Sequence, residues 1–141
     1  VGIFQKADYV PLPGSRQVYY SAKHDRLAAL HGDGIIIEDA GVAFEGGYAE
    51  FEASNATPNK EVYLIARMDY VHGDWEAEVF VNDKKVTTWV CKGSDRKFRW
   101  RNWPLIIPAE FVTDTFLSFR VVPLTADRDV NMFMLWFYQP G

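Results

Sequence analysis

The sequence contains a single cysteine, Cys91, among its 141 residues. One thiol forms no internal disulfide, so the cysteine content excludes a disulfide-stapled scaffold and gives no indication of the redox compartment. Long hydrophobic runs are missing as well. No apolar stretch approaches the roughly 18 to 20 residues that a membrane-spanning helix needs. We therefore expect a soluble globular chain that does not interact with a membrane.

Positive charge is also scarce over the whole chain. Lys and Arg number 15 against 19 Asp and Glu, which gives a net charge of −4 and a pI near 5.3. A general nucleic-acid binder needs a basic face to neutralise phosphates, so this balance argues against nucleic acid as a partner. A local basic strip remains open, because RKFRWRNWP at 96–104 contains four cations and three aromatic rings.

What the chain does have is material for a core. It is 48% hydrophobic and 24% charged, a composition that differs from that of disordered chains. Its length is typical of one domain, which we expect to span 1–141. The chain begins at Val1 without an initiator Met or a signal segment, as expected of a mature chain or a fragment of a longer protein.

Alternation of apolar and polar residues dominates the pattern and predicts strands. In EVYLIARMDY the core face is predicted to contain Val62, Leu64, Ala66, Met68 and Tyr70. The stretch DWEAEVFVNDKKV predicts a hairpin that turns at Asn82 and Asp83. Other predicted strands are 17–21, 34–38, 42–44, 48–53, 98–102, 115–122 and 131–138. About nine or ten short strands separated by turn residues predict an all-β fold, a two-sheet antiparallel β-sandwich or jelly roll. Short helical turns are predicted only at 23–30 and 108–112.

The basic strip has two interpretations. On a strand, Lys97, Arg99 and Arg101 share one face, and Phe98, Trp100 and Asn102 share the other. A cationic outer face over an aromatic core face needs no ligand. The alternative rests on Trp103, which precedes Pro104 and is expected in a loop where its ring stays exposed. An exposed ring suits the apolar face of a sugar, and guanidinium groups suit carboxylate or sulfate substituents.

The other tryptophans are weighed in the same way. Trp75 follows the turn VHGD and either forms a second exposed ring at a loop edge or begins a strand and plugs the end of the sandwich. Trp89 and Trp136 lie in alternating strands and are assigned to packing.

Metal and catalytic sites receive little support from the sequence. The three histidines lack the paired spacing of a zinc site. Asp127, Asp129 and Asn131 alternate like the start of a calcium loop, but the glycine and the distant glutamate of that loop are missing. The pairs Glu50/Glu52 and Glu76/Glu78 are close enough along a strand for a retaining glycosidase, in which the carboxyls lie about 5 Å apart. The same alternation is typical of a solvated sheet face, and no nucleophile elbow accompanies it.

Four stretches follow one another in a recognisable order: GVAFEGGYAEFEASNATPNKEVYLIARMDY, DWEAEVFVNDKKV, FRWRNWPLIIPAEF, and DTFLSFRVV with DVNMFMLWFY. This order resembles the galactose-binding-like jelly rolls of carbohydrate-binding modules, notably families 6 and 35. In those modules a strand like GGYAEFE precedes a Y-L-x-x-R strand and a V-x-V-N-x-K hairpin. A Trp then lies in a later loop region, and an Asn opens the last strand. The resemblance covers about two-thirds of the chain, from Gly41 to Tyr138.

The resemblance implies a set of site residues. Trp100 or Trp103 would be the stacking ring, Asn131 the polar ligand at the loop apex, and Tyr48 the opposite wall. Relatives hold a structural calcium with an acidic opening segment and a closing Asp, whereas the corresponding stretches here read VYYSAKHDR and NMFMLWF. The resemblance therefore leaves the calcium open and implies no other cofactor.

These observations favour a non-catalytic module that binds an oligosaccharide or polysaccharide, neutral or anionic. Sugar rings would stack on a loop Trp, and Arg99, Arg101 and Asn131 would contact the polar groups. Such a lectin-like module would be secreted and tethered to a polysaccharide-degrading enzyme. The alternatives are a structural or oligomerisation sandwich of a larger enzyme, whose rings bury an interface, and a jelly-roll glycosidase or lyase.

Overall fold

The computed structural model describes residues 2–5, 8–10, 16–24, 37–95, 100–124, 130–132 and 134–139. Within them the strands are β1 (Gly2–Gln5), β2 (Asp8–Val10), β3 (Arg16–His24), β4 (Ile37–Glu45), β5 (Tyr48–Ala53), β6 (Val62–Asp69), β7 (Trp75–Val81), β8 (Lys84–Cys91), β9 (Trp100–Ile107), β10 (Leu117–Pro123), β11 (Val130–Met132) and β12 (Met134–Tyr138). Two single 3-10 turns, Tyr70–His72 and Ala109–Phe111, are the helical elements of this part of the chain.

The strands form an all-β sandwich, as the alternation predicts. One layer has the order β1-β12-β6-β9, and the other has the order β2-β5-β10-β7-β8. A smaller ladder, β11-β4-β3, adjoins the first layer, because β11 ends at Met132 and β12 begins at Met134. The paired strands are antiparallel throughout.

The core lies between the two main sheets and follows the predicted faces. The inner face of β6 buries Val62, Leu64, Ala66 and Met68, and that of β7 buries Trp75, Ala77, Val79 and Val81. Three phenylalanines join the layers. Phe51 of β5 stacks on Phe119 of β10 at 5.1 Å, and Phe119 meets Phe137 of β12 at 5.1 Å. Burial of each Phe side chain contributes about 1.5 to 3 kcal/mol to the free energy of unfolding, so the packing of this cluster helps to hold the two sheets together.

The predicted β7–β8 hairpin is present. Its two-residue turn places Asn82 at φ 49° and Asp83 at φ 66°, the left-handed values that a two-residue hairpin turn requires. Asn82 also fixes the hairpin to β10, because its Oδ1 accepts from the Ser118 N–H at 2.9 Å and its N–H donates to the Ser118 carbonyl at 2.8 Å.

The largest difference from the predicted strands is in β9. The prediction ends a strand at residue 102, whereas β9 runs from Trp100 to Ile107 and contains both Trp103 and Pro104. A proline lacks the N–H that a central strand needs, but β9 is an edge strand of its sheet, where that N–H would face away from the ladder. The expectation of a loop at Trp103 is therefore wrong.

Elsewhere the predictions differ mainly in extent. The predicted strands 34–38 and 42–44 are one strand, β4, as far as the described residues show. The alternation did not predict β1 and β2. Of the predicted helical turns, the one at 108–112 is present as Ala109–Phe111, and the one at 23–30 lies mostly outside the described residues. No helix in the described part of the chain is long and apolar enough to cross a membrane.

Cys91 is fully buried at the end of β8, with its Sγ 3.3 Å from the Met68 sulfur. Burial raises the pKa of the Cys91 thiol from 9.0 to about 12.

We expect alkylation of Cys91 in the native protein at pH 8 to be roughly a thousandfold slower than in guanidinium, because the thiolate is the reactive form. The thiol's contribution to stability is complete below pH 9 and is lost as the pH rises towards 12. Rapid stoichiometric labelling of Cys91 in the folded chain at pH 8 would contradict the expected slow alkylation.

Candidate functional site

One end of the sandwich gathers three segments: the turn between β6 and β7, the stretch after β8, and the start of β9. The register places them together, because Asp69 at the end of β6 pairs with Trp100 at the start of β9, and Trp75 at the start of β7 pairs with Cys91 at the end of β8. We call this end the apex.

The turn at residues 69–74 is held from below by Asn131. Its side-chain Oδ1 accepts from the Asp69 N–H at 2.8 Å, and its Nδ2 donates to the His72 carbonyl at 3.0 Å and to the Asp69 carbonyl at 3.5 Å. The Asp69 carboxylate in turn accepts from the Val71 N–H at 3.2 Å. Both Asn131 and Asp69 are fully buried, so the turn is fixed by internal hydrogen bonds.

The turn is docked onto residues 92–95. A Cβ at Gly73 would lie 1.9 Å from the Gly93 carbonyl oxygen, so only glycine permits this approach. Gly93 has φ +86° and donates its N–H to the Asp74 carboxylate at 2.6 Å. The Asp95 N–H donates to the Tyr70 carbonyl at 3.0 Å, and the Tyr70 hydroxyl donates to the Lys92 carbonyl. The two segments therefore form one rigid support.

This support presents an apical cluster, which we define as Tyr70, Arg101 and Trp103. The Trp103 ring stacks on Tyr70 with centroids 5.6 Å apart and an interplanar angle of 28°. The Arg101 guanidinium carbon lies 4.6 Å from the Tyr70 centroid, and Asp95 lies 3.6 Å from its Nη2. The cluster combines flat rings with a planar cation, the pair of groups that a sugar with a charged substituent would contact.

Exposure decides what the cluster can contact. Trp103 is half-buried, and its Nε1–H donates to the Val90 carbonyl on β8 at 3.0 Å. Its polar edge is therefore occupied, and the ring offers its apolar surface. The Arg101 side chain is 39% exposed, and a guanidinium has five N–H donors, so the contact with Asp95 leaves donors for a ligand.

Arg101 lies on the opposite face of the strand from the one predicted. It pairs with Met68 and shares the inward-facing side of β9 with Trp103 and the buried Ile107, whereas Asn102 is exposed on the outer side. The faces were assigned wrongly because strand parity does not say which face is the inner one, and β9 lies at the sheet edge. There a long side chain on the inner face reaches solvent past the rim of the sandwich.

Trp75 is not an exposed ring. It is 0% exposed and packs edge-on against Trp89, with centroids 5.6 Å apart and planes at 80°. The exposed-ring interpretation is wrong, and the alternative of a plug at the sandwich end is the one observed. Trp89 is buried as predicted.

Asn131 does not lie open at the apex. It is fully buried, and both ends of its amide are bonded to the turn, so the expectation of an exposed ligand group is wrong. Tyr48 is partly buried, and it follows the parity of Glu50 on the outer face of the five-stranded sheet, where the Arg120 guanidinium lies 5.2 Å from its ring. The structure thus brings Trp103 and Arg101 together and leaves Tyr48 on another surface.

Three candidate residues, Arg99, Asp127 and Asp129, lie outside the described residues. Trp100 is described by its backbone, which opens β9 opposite Asp69. Across the described ranges, no group of three His, Cys, Asp or Glu side chains could hold a metal ion.

The sequence pattern did not single out Tyr70 as a site residue, because its parity assigned it to the core face of β6. It is indeed buried, at 8% exposure, yet its ring forms the floor of the apical cluster. The available signal was the turn VHGD directly after it, which ends the strand and turns the ring towards the apex.

The paired glutamates lie on the outer face of the five-stranded sheet. Glu50 lies 3.7 Å from Arg120, and Glu78 lies 3.5 Å from Lys85. Arg120 also meets Asp83 at 3.0 Å. These are partly exposed ion pairs of the kind that a solvated face carries.

Comparison with known proteins identifies the fold. No family model matches the chain, and no curated protein matches its sequence. Among solved structures, a family 35 carbohydrate-binding module from an environmental isolate matches with a TM-score of 0.55 and 21% identity over 69% of this chain and 67% of that one. A family 35 module from Clostridium thermocellum matches with a TM-score of 0.50 and 14% identity over 99% and 92%. The C-terminal family 6 module of a laminarinase from Zobellia galactanivorans matches with a TM-score of 0.52 and 10% identity over 88% and 98%.

The chain therefore has the galactose-binding-like β-sandwich fold of these carbohydrate-binding modules. The same fold also matches parts of larger enzymes. An exo-β-1,3-galactanase from Phanerochaete chrysosporium matches with a TM-score of 0.57 and 11% identity, over 98% of this chain and 29% of that one.

Proposed function

We propose that this chain is a non-catalytic carbohydrate-binding domain whose sugar site is the apical cluster. The observation that carries the proposal is the partly buried Trp103 ring, stacked on Tyr70 and flanked by the Arg101 guanidinium. Stacking on the ring supplies affinity, and the guanidinium selects among sugars by hydrogen bonding. The fold shared with carbohydrate-binding modules supports the proposal.

The Arg101 guanidinium favours an anionic sugar, one that bears a carboxylate or a sulfate. Arg101 is partly exposed, and the sequence between Asp95 and Trp100 contains three further cations, Arg96, Lys97 and Arg99, in a chain whose net charge is −4. A guanidinium fork bonds such groups in a bidentate manner. An oligosaccharide or polysaccharide with acidic substituents is therefore the proposed ligand.

The fold that this chain shares with part of a larger enzyme also supports a proposal about the protein that contains the domain. The galactanase that it matches is more than three times as long, and this chain corresponds to 29% of it. We place the chain beside a polysaccharide-degrading catalytic domain in an extracellular protein, where the module would hold the enzyme on its polymer.

Titration calorimetry with neutral, uronic and sulfated oligosaccharides tests the proposal. Arg101→Ala is expected to weaken binding of an acidic oligosaccharide about tenfold or more, because a hydrogen bond to a charged group contributes about 1.5 to 3 kcal/mol. Arg101→Lys should recover only part of the loss, since an ammonium lacks the planar fork.

The matched control is Arg67→Ala, which removes another arginine stacked on a ring, 5.1 Å from the Trp136 centroid on a sheet face. It should leave the affinity unchanged. Tyr48→Ala is a separate variant that tests whether the outer surface of β5 also contributes to the affinity for the oligosaccharide. The proposal fails if none of the glycans binds the wild-type chain. It also fails if Arg101→Ala and Arg67→Ala change the affinity for the acidic oligosaccharide equally.

A further inference from the structure

The outer face of the four-stranded sheet is largely apolar. Its described side chains on β6, β9 and β12 are Tyr63, Ile65, Arg67, Asn102, Pro104, Ile106, Trp136 and Tyr138. The register places Tyr63 between Ile106 and Tyr138, and Ile65 between Pro104 and Trp136. Ile106 is 51% exposed and Tyr138 is 39% exposed. We call this surface the apolar face.

The opposite side of the sandwich shows what a solvated face of this chain looks like. There Glu50, Glu78, Lys85 and Arg120 form ion pairs. An antiparallel sheet with one face in water alternates apolar and polar residues, whereas the outward positions of β6 and β12 include Tyr63, Ile65, Trp136 and Tyr138. Neighbouring apolar side chains that are exposed or partly exposed in this way are typical of an interface.

Two charges mark the ends of the apolar face along β6. Glu61 precedes the strand, and the Tyr63 hydroxyl lies 3.3 Å from its carboxylate, which places both side chains on this face. Arg67 lies on the same face, over the Trp136 ring. Arg67 lies six positions after Glu61, which corresponds to about 20 Å of extended strand.

We propose that the apolar face binds the apolar face of a second copy of this chain. A two-fold axis at the level of Leu64 would run the two β6 strands antiparallel across the interface. Glu61 of each copy would then face Arg67 of the other, and Tyr63 would face Ile65. A two-fold contact requires a surface that is complementary to itself, and the opposite charges at equal distances from Leu64 provide that complementarity. An apolar centre with charges at its rim is the usual anatomy of such interfaces.

Sedimentation equilibrium of the wild-type chain, from about 1 µM to about 1 mM, tests the proposal directly. We expect a reversible monomer–dimer equilibrium. Ile106→Lys is expected to raise the dimer dissociation constant at least about tenfold, because it puts a charge into the apolar centre. Since half of Ile106 is already exposed, the variant should fold, which circular dichroism checks.

Charge reversal tests the two-fold geometry. Arg67→Glu should weaken the dimer, because it places a second carboxylate opposite Glu61 of the other copy. The double variant Glu61→Arg with Arg67→Glu should restore the dimer. Lys85→Glu is the matched control, since it also replaces a cation by a carboxylate but on the outer face of the five-stranded sheet, and it should leave the equilibrium unchanged.

Three outcomes would overturn the proposal. The wild-type chain could remain monomeric over the whole range, or it could associate with a constant that Ile106→Lys does not alter. The third is failure of the double variant to recover association lost by Arg67→Glu. Sugar binding at the apical cluster is measured separately with short oligosaccharides, so the two proposals stand or fall independently.

Discussion

Asn131→Leu is expected to lower the free energy of unfolding by about 2 to 5 kcal/mol. The substitution keeps the approximate volume of the side chain but removes the acceptor for the Asp69 N–H and the donor for the His72 carbonyl. Each of these two hydrogen bonds, made by the fully buried Asn131, is expected to cost about 1 to 3 kcal/mol when it is lost. Denaturant unfolding followed by tryptophan fluorescence gives the measurement.

The matched control is Asn102→Leu, the same chemical change at an exposed position of β9, which should alter the stability of the monomeric chain by no more than about 0.5 kcal/mol. Because Asn131 supports the turn that presents Tyr70, Asn131→Leu should also weaken sugar binding under conditions where the variant is fully folded. Unchanged stability would show that Asn131 does not hold the turn.

Trp103→Ala is expected to reduce the affinity for the oligosaccharide about 30-fold or more. Truncation of a tryptophan at the centre of a binding site commonly costs about 2 kcal/mol or more, which corresponds to that factor. It also removes the ring that stacks on Tyr70 and the hydrogen bond to the Val90 carbonyl, so the thermal midpoint should fall as well. Calorimetry and thermal unfolding measure the two effects.

Two further variants separate binding from stability. Trp103→Phe keeps an aromatic ring beside Tyr70 but loses the Nε1–H donor, so it should lose stability while retaining most of the affinity. Trp136→Ala removes a half-buried tryptophan from the apolar face and should leave the affinity for short oligosaccharides unchanged. Equal losses of affinity in Trp103→Ala and Trp136→Ala would place the site elsewhere.

Most of the fold was readable from the sequence. The inner faces of β6 and β7 follow the predicted alternation, and Asn82 and Asp83 form the predicted turn with positive φ. Both depend on the local chain only, because side-chain direction alternates within a strand and turn residues set their own backbone angles. The resemblance to carbohydrate-binding modules was confirmed at the level of the fold.

The candidate site was only partly readable. Trp103 and Arg101 were named from the sequence, whereas the supporting Tyr70 was not, and the inward face of β9 was assigned wrongly. Strand parity gives two faces without saying which one faces the core, and the answer for β9 comes from its pairing with β6. A Trp before a Pro also predicts a loop until the strand is known to lie at a sheet edge.

The sequence alone determined that this chain forms a sandwich of short antiparallel strands, because a period of two in hydrophobicity acts residue by residue along the chain. The tertiary structure decided which polar and aromatic groups are inside. Asn131 is buried because a turn 62 residues earlier in the sequence folds over it, and Trp75 is buried because Trp89 closes against it. Burial depends on contacts between distant segments, and no local pattern contains that information.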